Sequence, residues 1–410
     1  MKIKVLLIPI AFLLFAVGCG TTKNIRLRDS TKVSSQSFLD SIPFEWRFES
    51  VVIKLQIPGE ERPWELIFDT GASYSVIRKD NAVKSGLESV SNISIGDTHG
   101  NRKTTPIYVC PELQLGSTTF TNHAAVGVNY DEDNLLRCIA ADGILGANLM
   151  KKLHWKIDYT RQMIYFSDVA DSLPQSQNMI AQKFRFSRGR PHIDIHLNNF
   201  RISDVLVDTG FNGFMDGGPN LIPTLADTVT NSWSYFRKYD GSSFGLWGTE
   251  LDTIYRSPSQ TLMMADSSFW NFEMEIQSGS GAKMGNRLFK HYDLFLNFPD
   301  GLIQWAKIDT ITVKQTEPGW GVGMRYTRTG VEVASITEGG PAEKAGIVLG
   351  DQIDAINQIP MLQFQRQMCE LYEYLRSQKE RDESLKLDIK GKGVFELSKE
   401  YYPLKTDTLN

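Results

Sequence analysis

"LIFDTGASYSVI", Leu66 to Ile77, sets an aspartate, a threonine and a glycine at the end of a run fit for a buried strand. A carboxylate in that position is poorly solvated, which is costly unless the acid has a task. The chain contains a second such stretch, "VLVDTGFNGF", Val205 to Phe214. The pair raises the question whether Asp69 and Asp208 work together.

The sequence around them repeats. Gly146, in "DGILGANLMKKLHWKIDYTRQMIYF", lies 77 residues after Asp69, and Gly285, in "KMGNRLFKHYDLFLNFPDGLIQW", lies 77 after Asp208, so both motifs recur at one offset of 139. Beyond the glycines the segments align without a gap: Leu149 meets Leu288, Lys151 meets Lys290, Ile164 meets Ile303 and Phe166 meets Trp305. Each tail reads as two short strands around a turn, Tyr159 to Gln162 and Phe298 to Gly301. Each half is therefore a β-rich lobe. Two copies in one chain can sit about a pseudo-twofold axis and bring both aspartates to their interface.

Two adjacent carboxylates cannot both ionise cheaply, so one keeps a proton while the other stays charged. Such a pair is base and acid at once: the ionised member takes a proton from water as the water attacks, and the protonated member donates to a carbonyl oxygen. Gly71 and Gly210 allow the tight turns this closeness needs. The chemistry calls for no cofactor and no metal.

"FDTGAS" followed by "GILGANL" resembles a lobe of the retropepsin-like and pepsin-like aspartic proteases, and the matched pair covers about residues 46 to 308. The resemblance implies a bilobal pair of β-barrels, monomeric, that hydrolyses polypeptides with a water held between Asp69 and Asp208. It also implies that Thr70 and Thr209 lock the two loops to each other. The second lobe departs from the pattern, with Phe211 where the first has Ala72 and Lys283 opposite Ile144 beneath the loop. Substrate flaps are expected at Gly96 to Val109 and Tyr239 to Glu250, with Gly100 and Gly241 at their tips. "HIDIH" puts His192, Asp194 and His196 on one strand face; a solvated face accounts for it, and no fourth metal ligand is evident.

After residue 312 the composition changes. "GVGMRY", then "VEVASITEGGPAEKAGIVLGDQIDAINQIPM", then a helical run with Phe364, Met368, Leu371 and Leu375 on one side resemble a PDZ domain. Gly321, Val322, Gly323 and Met324 match that family's carboxylate loop, which implies binding of peptide C-termini as an added strand.

At the other end, Lys2 and Lys4 precede an apolar stretch, Val5 to Val17, and "AVGCG". This resembles a bacterial lipoprotein signal, with Cys19 the lipidated first residue of an exported protein anchored to a membrane and facing the periplasm. Gly20 to Ile42 is polar and Ser/Thr-rich, as a tether would be. Of the remaining cysteines, Cys110 and Cys138 could pair in an oxidising compartment or stay as buried thiols.

A formal charge of −4 with interspersed signs lacks the basic footprint of nucleic-acid binding. The expected architecture is mainly β: a signal over residues 1–18, a tether over 19–45, protease lobes over 46–170 and 171–310, and a C-terminal α/β PDZ domain over 316–400. The competing reading keeps both lobes but makes them inactive, leaving recognition to the PDZ groove.

Overall fold

The computed structural model describes residues 22–409 apart from 131–133, 199, 228–229, 265–267, 280, 309–317 and 365–366, so Cys19 lies outside the described residues. The chain is mainly β.

A six-stranded antiparallel sheet joins the two lobes. Its order is Ile180–Lys183, Leu302–Lys307, Tyr292–Asn297, His154–Asp158, Met163–Ser167, Leu39–Pro43, three strands from each repeat. The central pair, His154–Asp158 against Tyr292–Asn297 with Lys156 opposite Phe295, marks the pseudo-twofold. Both turns read from the sequence close these hairpins. Trp155 and Trp305 are fully buried on it. Trp155 stacks on Phe166 at 5.0 Å and meets Phe68 edge-on at 5.3 Å, so the sheet packs directly behind the strand that carries Asp69. Aromatic contacts of this kind add about 0.5–1.5 kcal/mol each beyond the area they bury.

Leu39–Pro43 in that sheet corrects the expected tether. Residues 22–28 are helical, Lys32–Val33 pairs with Thr118–Val128, and Leu39–Pro43 pairs with Met163–Ser167. The Asp40 carboxylate accepts hydrogen bonds from the Ser117 amide and from the Ser117 and Thr118 hydroxyls, which holds the segment down. Polar residues survive here because an edge strand needs only its backbone to pair.

In the first lobe, Gly143–Gly146 runs parallel to Trp64–Asp69 and antiparallel to Ser75–Arg78, placing Gly146 opposite Asp69. Lys283–Met284 takes the same place in the second lobe, between Phe200–Val207 and Met215–Gly217. The second lobe's sheet then continues into the C-terminal domain: Ser232–Gly245 pairs with Gly330–Thr337, Lys238 opposite Thr337. Beyond that domain the chain returns, and Lys405–Thr408 pairs with Ser232–Tyr235. The domain has its own core, including Val331, Val333, Ile353, Leu371, Leu385 and Leu387.

Cys138 is bonded to Cys369, not to Cys110, joining the first lobe to the start of the helix Met368–Arg381. Cys110 stays a buried free thiol, and burial pushes its proton affinity up to about 11. Sequence spacing could not give this pairing, because the two cysteines are 231 residues apart.

Candidate active site

Each acidic turn sits where an apolar strand ends. Leu66, Ile67 and Phe68 are buried, as are Val205, Leu206 and Val207, so the strands are fixed up to the residue before each aspartate. Asp69 Oδ1 accepts the N–H of Gly71 at 2.7 Å and of Ala72 at 3.0 Å, and Asp208 Oδ1 accepts that of Gly210 at 3.0 Å.

The two loops interlock through their threonines. Thr70 donates its hydroxyl to the Val207 carbonyl at 2.5 Å while accepting from the Thr209 amide at 3.1 Å. Thr209 returns both bonds, to the Phe68 carbonyl at 2.7 Å and from the Thr70 amide at 3.0 Å. Both threonines are fully buried, so these four bonds are shielded from water. A Cβ on Gly71 would run into the Asp208 carboxylate, and one on Gly210 into that of Asp69. Only glycine lets each loop lie across the other's acid.

Asp69 and Asp208 are thereby neighbours. Burial, then the charge of Asp208 and a hydrogen bond with it, raises the proton affinity of Asp69 well above the usual carboxylate range, against the pull of the Gly71 and Ala72 amides. One proton is therefore retained where two carboxylates meet.

Beneath the second loop, the lysine that broke the pattern has a partner. Lys283 Nζ lies 3.0 Å from Asp216 Oδ2, and its ammonium stands 4.7 Å over the ring of Phe211. Gln277 donates to the same carboxylate oxygen at 2.8 Å. In the strand register Asp216 faces Lys283 as Val76 faces Ile144, so the second lobe has exchanged an apolar contact for a buried ion pair roofed by Phe211. A charged pair at two positions that are apolar in the other repeat is the signal that could have found it. Asn286 was also missed. Its amide donates to the Thr209 carbonyl at 2.7 Å and the Glu49 carbonyl at 3.0 Å, and it accepts from the Tyr159 hydroxyl at 3.0 Å. It ties the second loop to the first lobe.

Two hairpins stand over the lobes. Gly100, at φ +85°, lies in the turn between Ser89–Gly96 and Arg102–Leu115. The second hairpin is longer than expected, Ser232–Gly245 with Gly248–Met264, and it turns at Gly245–Gly248. Gly241 is not its tip but pairs with Asp252 inside the ladder, next to a register shift. The tips meet: the Trp247 amide donates to Asp97 Oδ2 at 3.4 Å, and Asn134 Nδ2 donates to the Gly245 carbonyl at 3.4 Å.

Of the alternating His192, Asp194 and His196, Asp194 is taken by Arg185 and Arg201, which hold its carboxyl far below the usual range, and His192 faces Asp204.

In the C-terminal domain, Gly321 has φ +72° and its amide donates to the Tyr402 hydroxyl at 3.0 Å. Val322, Gly323 and Met324 open the strand Val322–Thr327, which among the described residues pairs only with Gly330–Thr337. Its residues are half-buried, and among the described residues its outer edge is unpaired.

Comparison with known families finds two of these parts. The aspartyl protease family model matches residues 53–149, and a PDZ domain model matches residues 332–389. No curated protein matches the chain significantly.

Proposed function

We propose, for a chain that carries an aspartyl protease domain and a PDZ domain, that it is an aspartic endopeptidase whose PDZ module binds polypeptide C-termini. The observation that carries this reading is the reciprocal threonine lock, which makes Asp69 and Asp208 one unit built from both lobes. Its rigidity matters because a water can be deprotonated from one side and a carbonyl protonated from the other only if both acids hold position. The ionised carboxylate removes a proton from water as it adds to the peptide carbonyl, and the protonated one donates to the carbonyl oxygen. Collapse of the tetrahedral species then expels the amine with a proton returned by the pair. Both halves come from one chain, so a monomer suffices.

The signal-like start supports export, with Cys19 as the lipid-bearing residue at a membrane facing the periplasm; a disulfide suits that oxidising setting.

The test is hydrolysis of a quenched peptide library by the wild type, Asp69→Asn, Asp208→Asn and the double variant, with folding followed by circular dichroism. Each single change should lower the rate by about 10²–10⁴-fold or more. The double should be no worse than either, since residues acting as a unit are not additive. Substantial activity in folded Asp208→Asn would defeat the proposal.

A further inference from the structure

The polar stretch that precedes the first lobe is docked on the loop that carries Asp69. Thr31 is buried, and its hydroxyl lies 2.9 Å from Nδ1 of His123, while Nε2 of the same ring lies 2.9 Å from the Ser75 hydroxyl. Ser75 begins the strand Ser75–Arg78, just beyond the acidic turn. Its amide donates to Asn148 Oδ1 at 2.7 Å and its hydroxyl approaches the same oxygen at 3.1 Å, and the Gly146 amide donates to that hydroxyl at 2.9 Å. Gly146 stands opposite Asp69 in the parallel strand pair.

One arrangement of protons satisfies every group. Asn148 gives its amide hydrogen to the Ala124 carbonyl at 2.7 Å, so its Oδ1 faces Ser75 and can only accept. The single hydroxyl hydrogen of Ser75 goes to that oxygen. His123 therefore donates from Nε2 and accepts the Thr31 hydroxyl hydrogen at Nδ1, which requires a neutral ring. Burial keeps it neutral, pulling its proton affinity down to about 3. Thr31, Ser75, His123 and Asn148 are all buried, so water cannot replace a partner that is lost.

A second tie runs beside the first. The Tyr74 hydroxyl donates at 2.5 Å to the carbonyl of Asn24, in the helical stretch 22–28, and Asn24 also accepts from the Ser91 hydroxyl of the first hairpin at 2.8 Å. Lys151 pairs with Asp29, and Lys152 donates to the Asp29 carbonyl at 3.0 Å. The second loop is held differently: in the gapless alignment beyond the glycines an exposed Arg287 takes the place of Asn148, and Asn286 makes the bond to the loop.

We propose that residues 22–33 form a clamp on the first acidic loop, in which Thr31 and His123 are positioning residues that fix Ser75 and, through the Gly146 amide, the strand end that bears Asp69. This rests on the reading of Asp69 and Asp208 as a hydrolytic pair and adds the device that sets their geometry. Both residues act through Ser75 rather than on the carboxylates themselves. A small misplacement of a reacting group slows the chemical step without weakening the binding of substrate. Residues 22–33 lie outside residues 53–149, the span of the protease family match.

The experiment uses the full-length protein, a quenched peptide cleaved by the wild type, and amide hydrogen exchange. Thr31→Val keeps the shape of the side chain and removes the hydroxyl, so it should lower kcat about 10-fold with KM unchanged. Thr31→Ser, which restores the hydroxyl, should restore kcat. Thr31→Val should also speed exchange across residues 72–77 and 144–148 about 10-fold, because the opening of this region becomes easier. If Thr31→Val does not fold by circular dichroism, Tyr74→Phe carries the test: it cuts only the tie to Asn24 and should produce the same two changes at about 3-fold.

If the wild type cleaves no peptide, the endopeptidase reading itself fails, and exchange alone decides whether the clamp exists. Exchange across residues 72–77 and 144–148 that is unchanged in the folded variant overturns the clamp. Faster exchange with an unchanged kcat, or a loss confined to KM, overturns the positioning role. An equal loss of kcat in Thr31→Ser and Thr31→Val overturns the part given to the hydroxyl.

Discussion

Replacing Lys283 by methionine should destabilise the second lobe more than its distance from solvent-facing chemistry suggests. The Asp216 side chain is 0% exposed and that of Lys283 10%, so the substitution strips the partner from a carboxylate that water cannot reach. Breaking a buried pair from one side costs about 3–5 kcal/mol. At about 2–4 °C per kcal/mol for a unit of this size, the calorimetric transition containing the lobe should fall by about 6–20 °C. The loss should depend on pH. Burial already pushes Asp216 up to about 6 against the pull of Lys283, and without the lysine it rises further. A folded value above the unfolded ~3.9 means the group favours folding most at acid pH and loses that contribution as pH rises through the folded value. The deficit of Lys283→Met should therefore be large at pH 8 and small at pH 5, where the carboxyl is neutral. Pairing it with Asp216→Leu removes both charges, leaving an apolar pair like Val76 and Ile144 of the first lobe, and should return stability to near the wild type or about 1–4 kcal/mol above it. Two additive losses in the double variant, or a shift below about 3 °C in the single at pH 8, would refute the account.

Three other outcomes follow from the site and the signal-like segment. Because Asp69 is raised well above the ordinary range by burial and by Asp208, the rate on a quenched peptide should be bell-shaped, with its alkaline limb above the pH at which a solvated aspartate would already have ionised. Stability should also fall as pH rises through that limb, and Asp69→Asn should flatten this part of the curve; a melting temperature equally pH-dependent in the variant would place the effect elsewhere. Lipid should supply the membrane affinity, so Cys19→Ser should lose fatty-acid label and appear soluble or uncleaved; equal labelling of wild type and variant would exclude Cys19 as the anchor.

The pairing of Asp69 with Asp208 was legible because a short motif recurred with its supporting glycine at one offset, and a repeat constrains three dimensions as well as one. Gly241 misled because glycine marks tight turns and ladder irregularities alike; the hairpin instead turns between Gly245 and Gly248, with Leu246 and Trp247 at its tip. Leu39–Pro43 was hidden by its polarity, since an edge strand is specified by backbone pairing rather than by an apolar face. The pairing of Ser232–Gly245 with Gly330–Thr337 had no sequence signal: it depends on a strand from one domain entering the sheet of another, and nothing within either domain's own pattern records that.

The Cys138–Cys369 bond closes most of the molecule into a ring that runs through the whole second lobe. Any one backbone cut between those positions opens the ring without releasing a fragment. A protein proposed to cleave polypeptides is exposed to its own activity and to that of its neighbours, and the long hairpin Ser232–Gly245 with Gly248–Met264 lies inside the ring. A nick there would leave the acidic loops, the shared sheet and the peptide-binding module as parts of one covalent particle, divided on a gel only after a reductant is added.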